Sequence, residues 1–273
     1  MTREPRWYGW GYADKTYSLD HRPNAWGFLH AELDLHGDEA LPICDFDTIQ
    51  LRAPRVTDAQ LGALREIVSN IKSDARTRVL HAYGRSYRDL IRLRRGEIPN
   101  PPDAVVYPAS EVEVVRVIAF CVAHGISLVP FGGGSSVVGG VEPRSERVTT
   151  TLDLARLNRV LAINELSQTA TIEAGIFGPD LEHELNVRGY TLGHLPQSFE
   201  FSTLGGWIAT RGAGLASTKY GKIEAMTQSV RVATPRGIIE TRPVRRKSPR
   251  VSARSWAGTR HGSKRNCARI RSR

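Results

Sequence analysis

Hydrophobic and polar residues along this chain follow recognisable helix and strand periods from about residue 57 onward. Between residues 57 and 72 the apolar side chains recur at helical spacing, which predicts a helix with Thr57 or Asp58 as its N-cap. Residues 1–40 are aromatic and polar with interleaved glycines. They predict a segment that wraps over a surface without regular structure.

A strand–helix alternation begins at residue 79. Short apolar runs predict strands at 79–82, 104–108 and 128–130. Ser86 is expected to cap a helix over 87–94. Ser110 and Glu113 have the spacing of a capping box that opens a helix ending at Gly125. This order of elements predicts a βαβ unit.

The pattern beyond residue 146 is richer in strands. Strands are predicted at 149–154, 160–163 and 169–174, and a short helix with Pro179 in its first turn at 179–187. Residues 230–234 and 238–242, joined by a Pro-Arg-Gly turn, predict a β-hairpin. The fold class is therefore α+β. The predicted division is an N-terminal extension with a helix (1–74), a first lobe (75–142) and a second, strand-rich lobe (145–243).

A glycine-rich loop directly follows the predicted strand at 128–130. It comprises the residues Pro130, Phe131, Gly132, Gly133, Gly134, Ser135, Ser136 and Val137. Successive glycines allow positive φ angles and remove every Cβ, so backbone N–H groups can close around an anion such as a diphosphate. No lysine of a Walker A motif follows, and Val137 occupies the last glycine position of the dinucleotide fingerprint. An ordinary flexible Gly/Ser loop is the alternative.

A second stretch combines hydroxyl side chains with a Gly-Gly pair. Its candidate binding residues are Gln197, Ser198, Phe199, Glu200, Phe201, Ser202 and Thr203, followed by Thr210, Arg211, Gly212 and Ala213. Hydroxyls and backbone N–H groups at a helix start can converge on an anion, although a capped helix after a loop accounts for the same pattern. Two such loops on one chain favour a single large ligand with an internal diphosphate.

Composition narrows the function classes. The 273-residue chain has no uninterrupted apolar stretch of about 18 residues and no apolar signal core at its N-terminus, so a cytoplasmic protein is expected. Cys44, Cys121 and Cys267 lie far apart without CxxC spacing. Neither disulfides nor a zinc site is indicated, and no metal is expected.

The net charge of +10 comes entirely from the last 29 residues. Residues 245–273 hold 11 of the 38 basic residues and none of the 28 acidic ones, so residues 1–244 carry 27 against 28 and are nearly neutral. Residues 244–273 are predicted to be a disordered basic tail or the product of a shifted reading frame. A polybasic arm that binds nucleic acid or anionic lipid is the alternative, with a steep salt dependence as its signature.

The glycine loop resembles the pyrophosphate loop of the PCMH-type FAD-binding domain found in the vanillyl-alcohol-oxidase-type flavoproteins. Within that superfamily, further segments resemble the alkyldihydroxyacetonephosphate synthases. These segments are residues 6–12, 173–178, 189–194, 199–207, 220–224 and 234–240. The resemblance implies a two-lobed FAD-binding domain of the PCMH/VAO type, incomplete at its C-terminus.

Carried onto this chain, the resemblance implies FAD contacts at 130–137, 197–203 and 210–213. Non-covalent FAD is expected because the glycine loop contains no histidine or cysteine. The family usually has aspartate where Gln197 stands, and Ala-Ser where Gly212 and Ala213 stand, so a hydrogen bond differs at each place.

The resemblance also implies a function in ether-lipid synthesis, the exchange of acyl for alkyl on dihydroxyacetone phosphate. The family's Gly-Ser-Glu-Gly-Thr-Leu-Gly segment and catalytic cap do not follow residue 243, so no catalytic residue is nominated. His81, His183 and His194 are interpreted as structural. An FAD-dependent 2-hydroxy-acid dehydrogenase or oxidase and an inactive fragment are the alternatives. The expected partner is a lipid-phosphate or hydroxy-acid substrate and not nucleic acid; peripheral membrane contact and oligomerisation stay open.

Overall fold

The structure is a computed structural model that describes residues 4–15, 18–19, 21–36, 41–143, 146–241, 265–266 and 269–272. Its helices are α1 Ala25–Leu33, α2 Asp58–Arg65, α3 Ala75–Leu80, α4 Tyr87–Arg94, α5 Glu111–Ala123, α6 Gly178–Asn186, α7 Leu204–Thr210, α8 Ser217–Tyr220 and α9 Ile223–Met226. Its strands are β1 Ile71–Lys72, β2 Ala104–Val106, β3 Ser127–Phe131, β4 Thr149–Asp153, β5 Val160–Asn164, β6 Thr169–Ile172, β7 Tyr190–Thr191, β8 Thr227–Thr234, β9 Gly237–Glu240, β10 Arg265–Asn266 and β11 Arg269–Ser272.

The first sheet has the order β1-β2-β4-β3 and carries the glycine loop. Strands β2, β4 and β3 are parallel, and β1 pairs antiparallel with β2. Helix α5 connects β2 to β3 and buries Val117 and Cys121 in one cluster with Val106 and Leu152. The predicted βαβ unit is confirmed, with β4 between its two strands. The C-terminal ends of the parallel strands meet at one edge, where ligands bind in such sheets.

Strand β4 is buried along its whole length, as expected for a central parallel strand covered on both faces. It nevertheless lies outside residues 75–142, the predicted first lobe, and so does β1. The boundaries of the first sheet therefore differ from the predicted lobe boundaries. Chain order alone does not reveal that a later strand fills the gap between two earlier ones.

The predicted helix caps are largely confirmed. Thr57 opens α2 with a complete capping box, and Ser86 does the same for α4. Ser110 caps α5 by accepting a hydrogen bond from the Glu113 N–H. The carboxylate of Glu113 accepts from the Ala109 N–H instead of that of Ser110, so this predicted box is half-formed.

Three local predictions are wrong. Residues 79–82 do not form a strand, because the Asp74 carboxylate accepts a backbone N–H and starts helix α3 there. The helix predicted over 57–72 ends at Arg65, and Ile71 pairs with β2 instead. Residues 1–40 are not wholly irregular, since they contain α1. A short apolar run is compatible with both the helical and the strand period. A helix cap or a neighbouring strand then decides which of the two conformations forms.

The second sheet has the order β5-β6-β11-β8-β9. The strands predicted at 160–163 and 169–174 are confirmed as the antiparallel pair β5–β6, and the predicted hairpin is confirmed as β8–β9. Helix α6 begins with Pro179 in its first turn, as predicted. Helices α6 and α7 contribute Leu181 and Trp207 to the buried cluster beside this sheet.

Six residues of the basic tail belong to strands. Strand β10 pairs with β7, and β11 lies parallel between β6 and β8. These six residues do not test the prediction for the whole of 244–273, so a disordered tail stays a prediction. The other residues of 244–273 lie outside the described residues, and the shifted reading frame stays a hypothesis.

The sequence also predicts no membrane-spanning helix. A span needs about 20 predominantly apolar residues, whereas α5 has 13. Within the described ranges, no helix has the length and apolar character required to cross a bilayer.

Candidate functional site

The glycine loop begins where β3 ends, at the C-terminal edge of the first sheet. Pro130 and Phe131 are the last residues of β3, and the ring of Phe131 is buried. The Ser136 hydroxyl accepts the backbone N–H groups of Val138 and Gly140 at 3.4 and 3.3 Å, which organises the second half of the loop.

The two glycine-bearing stretches identified in the sequence are in contact. A Cβ on Gly132 would overlap the Thr203 hydroxyl, and one on Gly133 would overlap the Phe201 carbonyl oxygen. Only glycine allows the two backbones to approach this closely. The structure therefore brings residues 131–134 and 201–203 together.

The hydroxyls of the second stretch have internal partners. Ser202 Oγ donates to the Ser198 carbonyl oxygen at 2.7 Å and accepts from Trp207 Nε1 at 2.6 Å. Thr203 caps α7 by accepting the Gly206 N–H. These contacts engage both hydroxyls within the protein and support the capped-helix interpretation of this stretch. Its remaining ligand-binding capacity lies mainly in backbone groups.

The N-terminal aromatic segment packs against the second stretch. The rings of Trp10 and Tyr12 lie 5.6 and 5.5 Å from the ring of Phe201, measured between centroids. Lys15 pairs with Glu200 at 3.6 Å, and the Tyr12 hydroxyl donates to the Glu200 carbonyl oxygen. Residues more than 180 positions apart are thus joined beside the two loops.

Residues 210–213 lie next to Glu224 and His194. Arg211 has a left-handed backbone conformation at the end of α7, and its guanidinium pairs with the exposed Glu224 at 3.0 Å. Gly212 lies beside the ring of His194. Gln197, at the other end of the stretch, is exposed.

The segment before α4 supports the glycine loop, which sequence reasoning missed. The Arg85 N–H donates to the Ser136 carbonyl oxygen at 2.7 Å, and a Cβ on Gly84 would overlap that same carbonyl. The Arg85 side chain is partly buried, and burial lowers its pKa while Asp89 opposes this. The signal for this contact in the sequence is limited to a glycine, Gly84, directly before a basic residue.

Two of the histidines interpreted as structural are buried. His81 is satisfied, with Nε2 2.9 Å from the Asp153 carboxylate and Nδ1 2.7 Å from the Thr77 carbonyl oxygen. His194 differs, because both of its ring nitrogens are buried without a hydrogen-bond partner among the described residues. Burial lowers its pKa, and its ring packs on Trp207. His183 is exposed on α6.

A separate group of exposed side chains has metal-ligand chemistry. His30, Asp34 and His36 bring one ligand atom each to within 4.8 Å of one another, at the end of α1. His36 Nε2 lies 3.3 Å from the Asp34 carboxylate. Two imidazoles and a carboxylate suit zinc. The sequence did not predict a metal here, because these three residues do not form one of the cysteine-containing spacings typical of zinc sites.

Comparison with known proteins agrees with this geometry. Residues 102–242 match the family described as FAD binding domain. An alkyldihydroxyacetonephosphate synthase from Dictyostelium discoideum is 41% identical over 230 residues, which is 81% of this chain and 38% of that protein. One from Trypanosoma brucei brucei is 44% identical over 197 residues, or 70% of this chain and 32% of that protein.

Solved structures give the same picture. An alkyldihydroxyacetonephosphate synthase structure superposes with a TM-score of 0.81 at 38% identity, covering 87% of this chain and 49% of that one. A berberine bridge enzyme variant superposes with a TM-score of 0.56 at 23% identity, which shows a shared fold alone. The chain spans less than half the length of these relatives.

Proposed function

This chain belongs to the FAD-binding-domain family, and we propose that it is the FAD-binding part of a flavoenzyme similar to the alkyldihydroxyacetonephosphate synthases. The family assignment covers residues 102–242 and identifies FAD as the cofactor. The fold is the PCMH/VAO-type α+β fold. The synthase activity and its lipid-phosphate substrate are inferred from relatives that are longer than this chain.

The FAD diphosphate would be held by the glycine loop and the stretch it touches. The observation that carries this assignment is the close approach of Gly132 and Gly133 to Thr203 and Phe201. Gly132 and Gly133 add no side chain of their own at that junction, so their backbone N–H groups, with the Thr203 hydroxyl beside them, are what an anion would meet. We assign residues 130–137 and 197–203 to this role.

Residues 210–213 are proposed to contact the same FAD, because the sequence resemblance extends FAD contacts to them. Gln197 and the pair Gly212–Ala213 replace residue types typical of the family, so their contacts differ there. The glycine loop contains no histidine or cysteine to form a flavin bond, and FAD is therefore proposed to bind non-covalently.

Bound FAD would supply the reactive isoalloxazine ring, which is the source of the chemistry in flavoenzymes. The protein's own part is to bind, orient and exclude water. Trp10 and Tyr12, packed on Phe201, cover one side of the second stretch with apolar surface. The ion pair between Lys15 and Glu200 joins the same N-terminal segment to the second stretch.

This covering segment favours the synthase over a 2-hydroxy-acid dehydrogenase or oxidase. It is part of the synthase resemblance at residues 6–12, and it lies against the candidate site. A glycolate oxidase subunit from Bacillus subtilis is 32% identical over 120 residues, only 44% of this chain. The hydroxy-acid activity is therefore the second candidate.

The test is reconstitution with FAD. We expect purified protein to retain visible flavin absorbance after incubation with FAD and desalting, and to release intact FAD on denaturation. Protein that never retains flavin would contradict the proposal. A flavin-loaded sample is then assayed for exchange of acyl for alkyl on dihydroxyacetone phosphate and for oxidation of 2-hydroxy acids. Flavin retention with neither activity identifies the chain as a cofactor-binding part alone.

A further inference from the structure

The two loops assigned to FAD contain no positive charge of their own. Residues 131–140 and 197–203 include no lysine or arginine, and the carboxylate of Glu200 is paired with Lys15 at 3.6 Å. A diphosphate carries negative charge that backbone N–H groups solvate only in part. Arginine is well suited to phosphate, because its planar guanidinium presents several donors in a fixed arrangement.

Arg85 is attached to the glycine loop through its backbone. Its N–H donates to the Ser136 carbonyl oxygen at 2.7 Å, and the absence of a side chain on Gly84 lets this peptide lie against Ser136. The guanidinium folds back so that Nη1 donates to the Gly84 carbonyl oxygen at 2.9 Å. The positive charge is therefore held at Gly84, the residue that lies against the Ser136 carbonyl of the loop.

The guanidinium of Arg85 has donors left for a ligand. An arginine has five N–H donors, and a single side-chain hydrogen bond engages this one among the described residues. Asp89 is the carboxylate that acts on it electrostatically, but Asp89 accepts the Ser86 N–H in the capping box of α4. By contrast, the nearby Arg92 forms an ion pair with Glu142 at 3.0 Å.

We propose that Arg85 binds a phosphate group at the glycine loop. This inference rests on the proposed function, and two sources supply the same chemistry: the diphosphate of FAD and the phosphate of the substrate. Arg85 would contribute charge-assisted hydrogen bonds in either case, while Ser136 joins it to the loop whose N–H groups complete the site.

The experiment measures dissociation constants of the wild type, Arg85→Gln and Arg85→Lys. Arg88→Gln is the matched control, because Arg88 is exposed on α4. The probes are FAD, ADP (a diphosphate without flavin), riboflavin (a flavin without phosphate) and dihydroxyacetone phosphate. Thermal unfolding without ligand shows whether each variant is folded.

If Arg85 binds the FAD diphosphate, Arg85→Gln weakens FAD and ADP binding roughly 10-fold or more and leaves riboflavin unchanged. Arg85→Lys recovers part of the loss because it keeps the charge, and it carries the test if the glutamine variant does not fold. A loss confined to dihydroxyacetone phosphate assigns Arg85 to the substrate phosphate.

Two outcomes overturn the inference, and they are distinguishable. In the first, the wild type binds FAD and the Arg85 variants keep the wild-type affinity for every phosphate-containing probe. Arg85 then does not bind phosphate, and the proposed function is unaffected. In the second, the wild type is folded but binds neither FAD nor ADP. Both the proposed function and the role of Arg85 are then wrong.

Discussion

A methyl group at residue 133 tests the contact between the two loops. In Gly133→Ala the new Cβ would lie more than 1 Å inside the 3.0 Å that real Cβ atoms keep from other heavy atoms, against the Phe201 carbonyl oxygen. It would also stand at that limit, 3.0 Å, from the ring of Phe177. One neighbour is backbone and the other an aromatic ring, so the loop itself must move.

The size of the effect follows from this displacement. Moving the loop by about 1 Å lengthens a hydrogen bond from about 2.9 Å to about 3.9 Å, which is beyond hydrogen-bonding distance. Loss of one hydrogen bond to a charged ligand costs about 1.5–3 kcal/mol. Since about 1.4 kcal/mol is tenfold, the dissociation constant for FAD should rise roughly 10- to 100-fold. Overpacking should also lower the free energy of unfolding by about 1–3 kcal/mol.

Flavin fluorescence titration measures the affinity, and denaturant unfolding without FAD measures the stability. Gly140→Ala is the matched control in the same loop, because its Cβ would meet only the Ser136 hydroxyl at an ordinary 3.5 Å. We expect the control to bind FAD like the wild type. If Gly133→Ala also binds and unfolds like the wild type, residues 133 and 201 are not in contact and the assignment of the paired loops to FAD loses its support.

Two further predictions concern buried ionisable groups. Burial lowers the pKa of His194. Below the reference pKa of about 6.5, the unfolded state therefore binds a proton that the folded state does not. The free energy of unfolding should consequently decrease as the pH falls through that value. His194→Phe should reduce this slope in denaturant unfolding measured above and below that pH, and an unchanged slope would contradict it. Asp103 is fully buried; burial opposes its ionisation, but hydrogen bonds from Arg52, Arg55 and the Thr149 N–H outweigh this and lower its pKa. Asp103→Asn should therefore lower the free energy of unfolding at neutral pH by about 3 kcal/mol, and a loss below about 0.5 kcal/mol would show that the carboxylate is dispensable.

Local chemistry was well predicted from the sequence. The N-caps at Thr57 and Ser86 and the Pro179 helix start are confirmed, because capping depends on residues within four positions of one another. The glycine loop was recognised for a related reason. Three glycines after an apolar strand allow backbone conformations and close approaches that other residues do not, whatever surrounds them.

Apart from the two loops that were expected to share one ligand, contacts between distant segments were not predicted. The position of β4 in the first sheet depends on strand order, which leaves no periodic signal along the chain. The support that Gly84 and Arg85 give to Ser136 joins residues about 50 positions apart through a backbone hydrogen bond, which any residue type except proline can donate.

These two observations together explain why the family was evident while the full site was not. The motif residues at 131–134 report a backbone shape in which main-chain N–H groups can surround an anion. The residues that adjust the charge of the site, such as Arg85, only need to reach the loop from somewhere in the fold. Their sequence position is therefore free to vary, and Arg85 is identified by the fold, in which its N–H donates to the Ser136 carbonyl oxygen.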